Sequence, residues 1–132
     1  MAGSGTIDYS SYFTIPSALE FRKWLGSEHA INAYCHGLAL QGGKILASIL
    51  NTRVLDPQGD LTLNMVNVQL PLPGTDVFPM NKEVYDKIQD KLLKERNVYS
   101  AYFIHNGNWW TRCSAQVYND VSITFFFGFG FS

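Results

Sequence analysis

The sequence predicts an α+β fold: a long helix with a small, mostly antiparallel sheet that carries helices on one face. Three observations point to it. Apolar residues recur at spacings of three and four from Ile31 to Ile49, the stripe of a long helix. Asn106-Gly107 separates two strand-like segments, and this dipeptide supplies the positive φ that both central positions of a type I′ hairpin turn require. The order strand, helix, strand, strand behind the long helix suits a layer of helices on a short antiparallel sheet. Length and composition permit a packed core, with 132 residues of which 46% are apolar and 14% aromatic.

Residues 1–15 are rich in Gly, Ser, Thr and Tyr, lack a period, and read as a lead-in loop. A helix follows from Pro16, which suits a first turn, and Gly26 stops it. Ser27 is a good N-cap for the long helix, and Glu28 favours its positive end. Ile31, Cys35, Leu38, Gly42, Ile45, Leu46 and Ile49 mark the helix face, to about Asn51. The Gly42-Gly43 pair costs about 1 kcal/mol per glycine against alanine. A close approach by another backbone is the simplest offset. Asp56-Pro57-Gln58-Gly59-Asp60 is a turn. Leu61 to Leu70 reads as a strand whose phase changes at Met65-Val66, implying a bulge or burial on both faces. Asn81 caps a third helix, with Val84, Tyr85, Ile88, Leu92 and Leu93 inward and Lys82, Lys87, Lys91 and Lys94 outward. Val98–His105 and Asn108–Tyr118 form the hairpin. In the latter, Trp109, Thr111, Cys113, Ala115 and Val117 point to the helices. Asn108, Trp110, Arg112, Ser114 and Gln116 point to solvent or another domain. The domain is thus expected over 16–122, with 123–132 an uncharged, Phe-rich, atypical tail.

Ten basic and eleven acidic residues leave a net charge of -1, which argues against nucleic-acid binding as the main role. No run of about 18 apolar residues predicts a membrane span. Met1 to Ser11 has no basic n-region or apolar h-region, and a cytoplasmic location is expected. Cys35 and Cys113 make neither a disulfide framework nor a metal site and read as core residues. His29, His36 and His105 are isolated in sequence, with surface or capping roles. Asp86 and Asp90 lie among lysines on a wet helix face. Two features offer chemistry. Arg112 sits mid-strand on the less apolar row, as a solvated side chain or as a carboxylate clamp with two parallel donors. Gly3-Ser4-Gly5-Thr6 is a flexible lead-in or a loop whose amides and Thr6 hydroxyl meet a phosphate.

Three separated motifs, in order, resemble the class V aminotransferase superfamily, nearest its isopenicillin-N-epimerase-like and fungal hercynylcysteine sulfoxide lyase-like members. They are Gly5-Thr6-Ile7-Asp8-Tyr9-Ser10 with Ile15-Pro16-Ser17-Ala18-Leu19-Glu20-Phe21, then Asn64-Met65-Val66-Asn67-Val68, then Thr111 through Asn119 (Thr-Arg-Cys-Ser-Ala-Gln-Val-Tyr-Asn). The likeness runs from Gly5 to Ser122 and corresponds to the C-terminal part of a family member. It implies the small domain of the aspartate-aminotransferase fold in a homodimeric pyridoxal 5′-phosphate enzyme, in which the cofactor carries the electron-sink chemistry. It implies that Gly5 and Thr6 reach the cofactor phosphate across the dimer interface. The resemblance also implies that Arg112 binds the substrate carboxylate and that Asp8 is structural or dimer-related. The family's Schiff-base lysine lies upstream of the matched region, and none of Lys23, Lys44, Lys82, Lys87, Lys91 and Lys94 matches it. Where the family continues with Ser-Asp-Phe and a closing helix, this chain has Ser122-Ile123-Thr124, as a truncated or mis-spliced product would.

Three readings follow. The first is the C-terminal domain of a lyase or transferase acting on an amino acid (by C–S cleavage, desulfuration, epimerisation or transamination), inactive alone. The second is a standalone non-catalytic α+β binding or interaction module. The third is a product with no function of its own.

Overall fold

A computed structural model describes residues 9–121. The elements are α1 (Ser10–Phe13), α2 (Ile15–Trp24), α3 (Ser27–Ile49), β1 (Met65–Gln69), α4 (Lys82–Lys91) followed by a π-helical turn (Leu92–Arg96), β2 (Ala101–His105) and β3 (Asn108–Ser114). The chain divides into two compact units, one ending at Ala33 and one beginning at Tyr34. The Phe-rich tail and the Gly5-Thr6 and Asp8 positions lie outside the described residues.

In the first unit, the expected loop holds a turn of helix at Ser10–Phe13. No glycine or proline interrupts residues 9–14, and local bonds close the turn: the Tyr12 amide donates to the Tyr9 carbonyl at 2.9 Å, and Thr14 Oγ1 donates to the Ser11 carbonyl at 2.8 Å. α2 carries Pro16 in its first turn as expected and ends before Gly26, whose φ is +105°. The Arg22 guanidinium donates twice to the Glu28 carboxylate, and this hydrogen-bonded partner holds Glu28 below the usual carboxylate range. No residue of α1 or α2 is buried.

The second unit is built on a three-stranded antiparallel sheet in the order β1-β3-β2. β2 and β3 join through Asn106 and Gly107 at φ +49° and +70°, the expected hairpin turn. Cross-strand pairing sets Val66 and Val68 on one face with Thr111, Cys113, Trp109, Tyr102 and Ile104. The helices cover this face. Phe78, in the loop before α4, meets Trp109 at a tilt, and Tyr85 of α4 meets Tyr102 edge-on, with ring centroids 5.8 and 5.6 Å apart. α3 meets β1 at Gly43, where a Cβ would lie 2.6 Å from a Val66 methyl. The Gly43 offset is therefore a side chain seated against the helix, not a second backbone.

Several boundaries differ from expectation. β1 begins at Met65 rather than Leu61 and has no bulge, since its register with β3 runs unbroken. The cause is Asp56, whose carboxylate accepts from the Gly59 and Leu61 amides and the Thr62 hydroxyl, prolonging the turn. Leu61 and Leu63 consequently stand 91% and 80% exposed. The phase change at Met65-Val66 is the start of the strand.

On α3 the buried line runs through Ile31, Cys35, Ala39, Leu46, Ala47 and Leu50. Small residues make the closest approach there. Leu38 and Ile45 are only half-buried, and Ile49 is exposed, contrary to the expected stripe.

Asn81 caps α4 as expected, Oδ1 accepting from the Val84 amide at 2.9 Å. Gln89 is buried within α4, and in the π-helical turn that follows Leu92 is buried while Leu93 is exposed. The solvent face pairs Lys82 with Asp86, Lys87 with Glu83 and Lys94 with Asp90, each i,i+4. β2 begins at Ala101 and β3 ends at Ser114, both shorter than expected.

Candidate functional site

The face of the sheet opposite the helices carries Met65, Asn67 and Gln69 of β1, Trp110 and Arg112 of β3, and Phe103 of β2. Arg112 is exposed there, opposite Asn67 on one side and Ala101 on the other. Among the described residues its guanidinium has no ion pair and no hydrogen-bond acceptor. It borders a hollow of about 440 Å³ with Leu61, Leu63, Asn64, Met65, Asn67 and Phe103. The hollow therefore offers one unneutralised cation and two carboxamides, of Asn64 and Asn67, inside an apolar rim, with no acidic side chain among its described walls. That combination suits a small monoanion with a planar, two-oxygen head.

Trp110 departs from expectation. It lies in the solvent-facing row yet is 2% exposed. Arg53 covers it, the guanidinium 5.9 Å from the ring centroid, and Arg53 Nε donates to Gln69 Oε1 at 2.9 Å. His105 meets the ring edge-on, and the indole N–H donates to the His105 carbonyl at 3.1 Å. A polar row can thus bury a tryptophan by recruiting an arginine from a distant loop.

Cys113 points toward the helix face as expected, and burial pushes its thiol up to about 11. It is protonated near neutral pH and unsuited to nucleophilic work. It lines a second cavity, of about 330 Å³, with α3 residues Leu38 and Gly42, β1 residue Val66, and Ser100 and Asn119. Ser100 Oγ and Thr111 Oγ1 bond to each other, and Thr111 also donates to the Ala101 carbonyl at 3.2 Å. Cys35 is buried in the core as expected. His36 Nδ1 lies 3.1 Å from the Leu63 carbonyl. Among the described residues no cluster of three His, Cys, Asp or Glu is placed to hold a metal ion, and no helix is long and apolar enough to cross a membrane.

Of the site residues read from the sequence, Arg112 is described, while Gly5 and Thr6 lie outside the described residues. Asn67 and the Leu61–Leu63 segment, which share the hollow with Arg112, escaped sequence reasoning. Alternation gives the face of Asn67 within its own strand, but its place opposite Arg112 depends on a pairing register between distant segments.

No family model matches the chain. Among curated proteins, the chain is 30% identical to the hercynylcysteine sulfoxide lyase of Schizosaccharomyces pombe over 87% of its own length and 27% of the relative's. It is 35% and 33% identical to the L-cysteine desulfhydrase-like proteins lolT1 and lolT2 of Epichloe uncinata, over 92% of its own length and 32% and 31% of theirs. The chain therefore spans about a third of the length of these relatives. It is a homologue of one segment of the hercynylcysteine sulfoxide lyase and L-cysteine desulfhydrase-like proteins, the lyase-like relationship that its three ordered motifs imply.

Proposed function

We propose that this chain is the C-terminal, carboxylate-recognising domain of a pyridoxal-phosphate-dependent lyase that acts on a sulfur-containing amino acid. The observation that carries the reading is the Arg112 guanidinium, without a partner among the described residues, in the apolar-rimmed hollow on the open sheet face. The names of the relatives supply the substrate class: hercynylcysteine sulfoxide for one, and L-cysteine for the enzyme that the other two are named after. Such a substrate brings one α-carboxylate, and Arg112 meets it with two parallel N–H donors. That contact fixes the amino acid at one end and leaves its sulfur-bearing side chain to be oriented against Leu61, Leu63, Met65 and Phe103.

The described residues fit the substrate's carboxylate but not the cofactor. No lysine borders the hollow. Lys82, Lys87 and Lys94 are committed to surface ion pairs on α4. We therefore assign substrate positioning to this chain and the covalent cofactor link to a part of the enzyme not matched here. In the assembled enzyme, pyridoxal phosphate supplies the electron sink that makes C–S cleavage possible. Gly5 and Thr6 are the proposed contacts to its phosphate, across a homodimer interface.

Two measurements test this. Pyridoxal phosphate followed by borohydride should label the isolated chain only at scattered surface amines, and a stoichiometric adduct at one lysine overturns the division of labour. S-methyl-L-cysteine should shift the Arg112 Nε–H resonance saturably, and an unmoved Arg112 signal at saturating ligand contradicts the carboxylate assignment.

A further inference from the structure

We infer that Asn67 is a second carboxylate-binding residue, its carboxamide closing on the same carboxylate that Arg112 grips; this rests on the reading of Arg112 given above. Asn67 stands directly opposite Arg112 in the β1–β3 pair. Both side chains leave the same face, with Cβ atoms about 4.5–5.5 Å apart for such a pair. Both border the same hollow.

The Asn67 carbonyl is used in the fold, accepting from the Leu55 amide at 2.9 Å. Its side chain is not: Oδ1 is buried and has no hydrogen-bond partner among the described residues. Asparagine is a poor strand residue, and a buried, unpaired amide oxygen is costly, so local stability does not account for it. Arg112 and Asn67 have the means to satisfy each other, guanidinium N–H to amide oxygen, yet no such bond forms between them.

Two adjacent groups without partners among the described residues can meet one ligand together. A carboxylate does so once the amide turns its NH₂ toward it. The guanidinium donates along one edge, and the amide donates one N–H to the oxygen on the β1 side. The two ends of a carboxamide exchange by rotation about χ2, so the buried position presents Nδ2 when an anion is bound. A cation is opposed by Arg112, and the single positive charge with an apolar rim matches a monoanion.

The test is a titration of the full 132-residue chain with S-methyl-L-cysteine, and with 2-(methylthio)ethylamine, which lacks the carboxylate. The Asn67 side-chain NH₂ pair and the Arg112 Nε–H are followed together by NMR. Both should move with one shared Kd for the amino acid and stay still for the amine. Asn67→Ala should weaken binding about tenfold, the loss of one charge-assisted hydrogen bond. Asn67→Asp, which keeps the shape, should abolish binding by placing a carboxylate against Arg112. If Asn67→Ala does not fold, the Asp variant and the wild-type shifts decide alone. Arg112 signals that move while Asn67 signals stay, or an Asp variant that binds like wild type, overturn this inference and leave the Arg112 reading intact. If neither residue responds to the amino acid, both readings fail. Asn67 signals that respond equally to the amine also overturn the inference, since the amide then reads the ammonium group.

Discussion

The two faces of the three-stranded sheet share one backbone and differ in how their side chains are satisfied. On the helix face, Trp109, Val68 and Thr111 have no exposed surface, and their polar atoms are used: Trp109 Nε1 donates to the Phe78 carbonyl at 2.9 Å, and Thr111 bonds to Ser100 and Ala101. On the open face, two arginines behave differently. Arg53 is committed, to Gln69 and to the Trp110 ring. Arg112, one alternation along β3 from Trp110, has no partner among the described residues. A cation that packs is structural, whereas a cation held bare beside an unpaired amide is available to a ligand.

The largest break in this comparison is on the closed face. Trp109→Ala removes a fully buried indole and its hydrogen bond, and should cost about 3–5 kcal/mol, enough to unfold a marginal domain. Thermal denaturation followed by far-UV circular dichroism measures it.

The same face should fail in alkali. The Cys113 thiol is raised to about 11 from 9.0 and the Tyr102 phenol to about 12 from 10.0, in both cases chiefly by burial. The folded state therefore favours the protonated groups. Their contribution is complete below pH 9 and is lost as pH rises toward 11 and 12. The urea midpoint should fall across that window, and Cys113→Ala should flatten its lower part.

At the α3–β1 contact, Gly43→Val should cost about 1–3 kcal/mol by overpacking against Val66, and Val66→Ala in the same chain should recover part of it. Outside both faces, Asn81→Ala should cost about 1 kcal/mol through loss of the α4 cap.

What was legible followed from local chemistry. The Asn106-Gly107 turn, the Asn81 cap and the ion-paired face of α4 each depend on residues within four positions of one another, so the sequence displays them directly. The face of Arg112 was legible too, because alternation along β3 needs no knowledge of the partner strands. What was hidden depended on distant groups. The true start of β1 was masked because the Asp56 side chain prolongs the turn through Thr62. The burial of Trp110 required Arg53, which belongs to a loop before β1. Leu93 turned outward because a π-helical turn broke the 3.6-residue period that had placed it inside. The pairing of Asn67 with Arg112 is a property of register, which the two strands fix only once they meet.

The contrast between the two arginines is the central claim, and one paired measurement tests it: the affinity for S-methyl-L-cysteine and the melting temperature of Arg112→Gln and Arg53→Gln. Arg112→Gln should lose binding while its stability stays within about 0.5 kcal/mol of wild type, as for an exposed side chain without partners. Arg53→Gln should keep binding and lose about 1 kcal/mol, or about 4 °C for a chain of this size, through its hydrogen bond to Gln69 and its cover over Trp110. If Arg112→Gln binds as tightly as wild type, or Arg53→Gln is the variant that loses the ligand, the assignment of the open face is wrong.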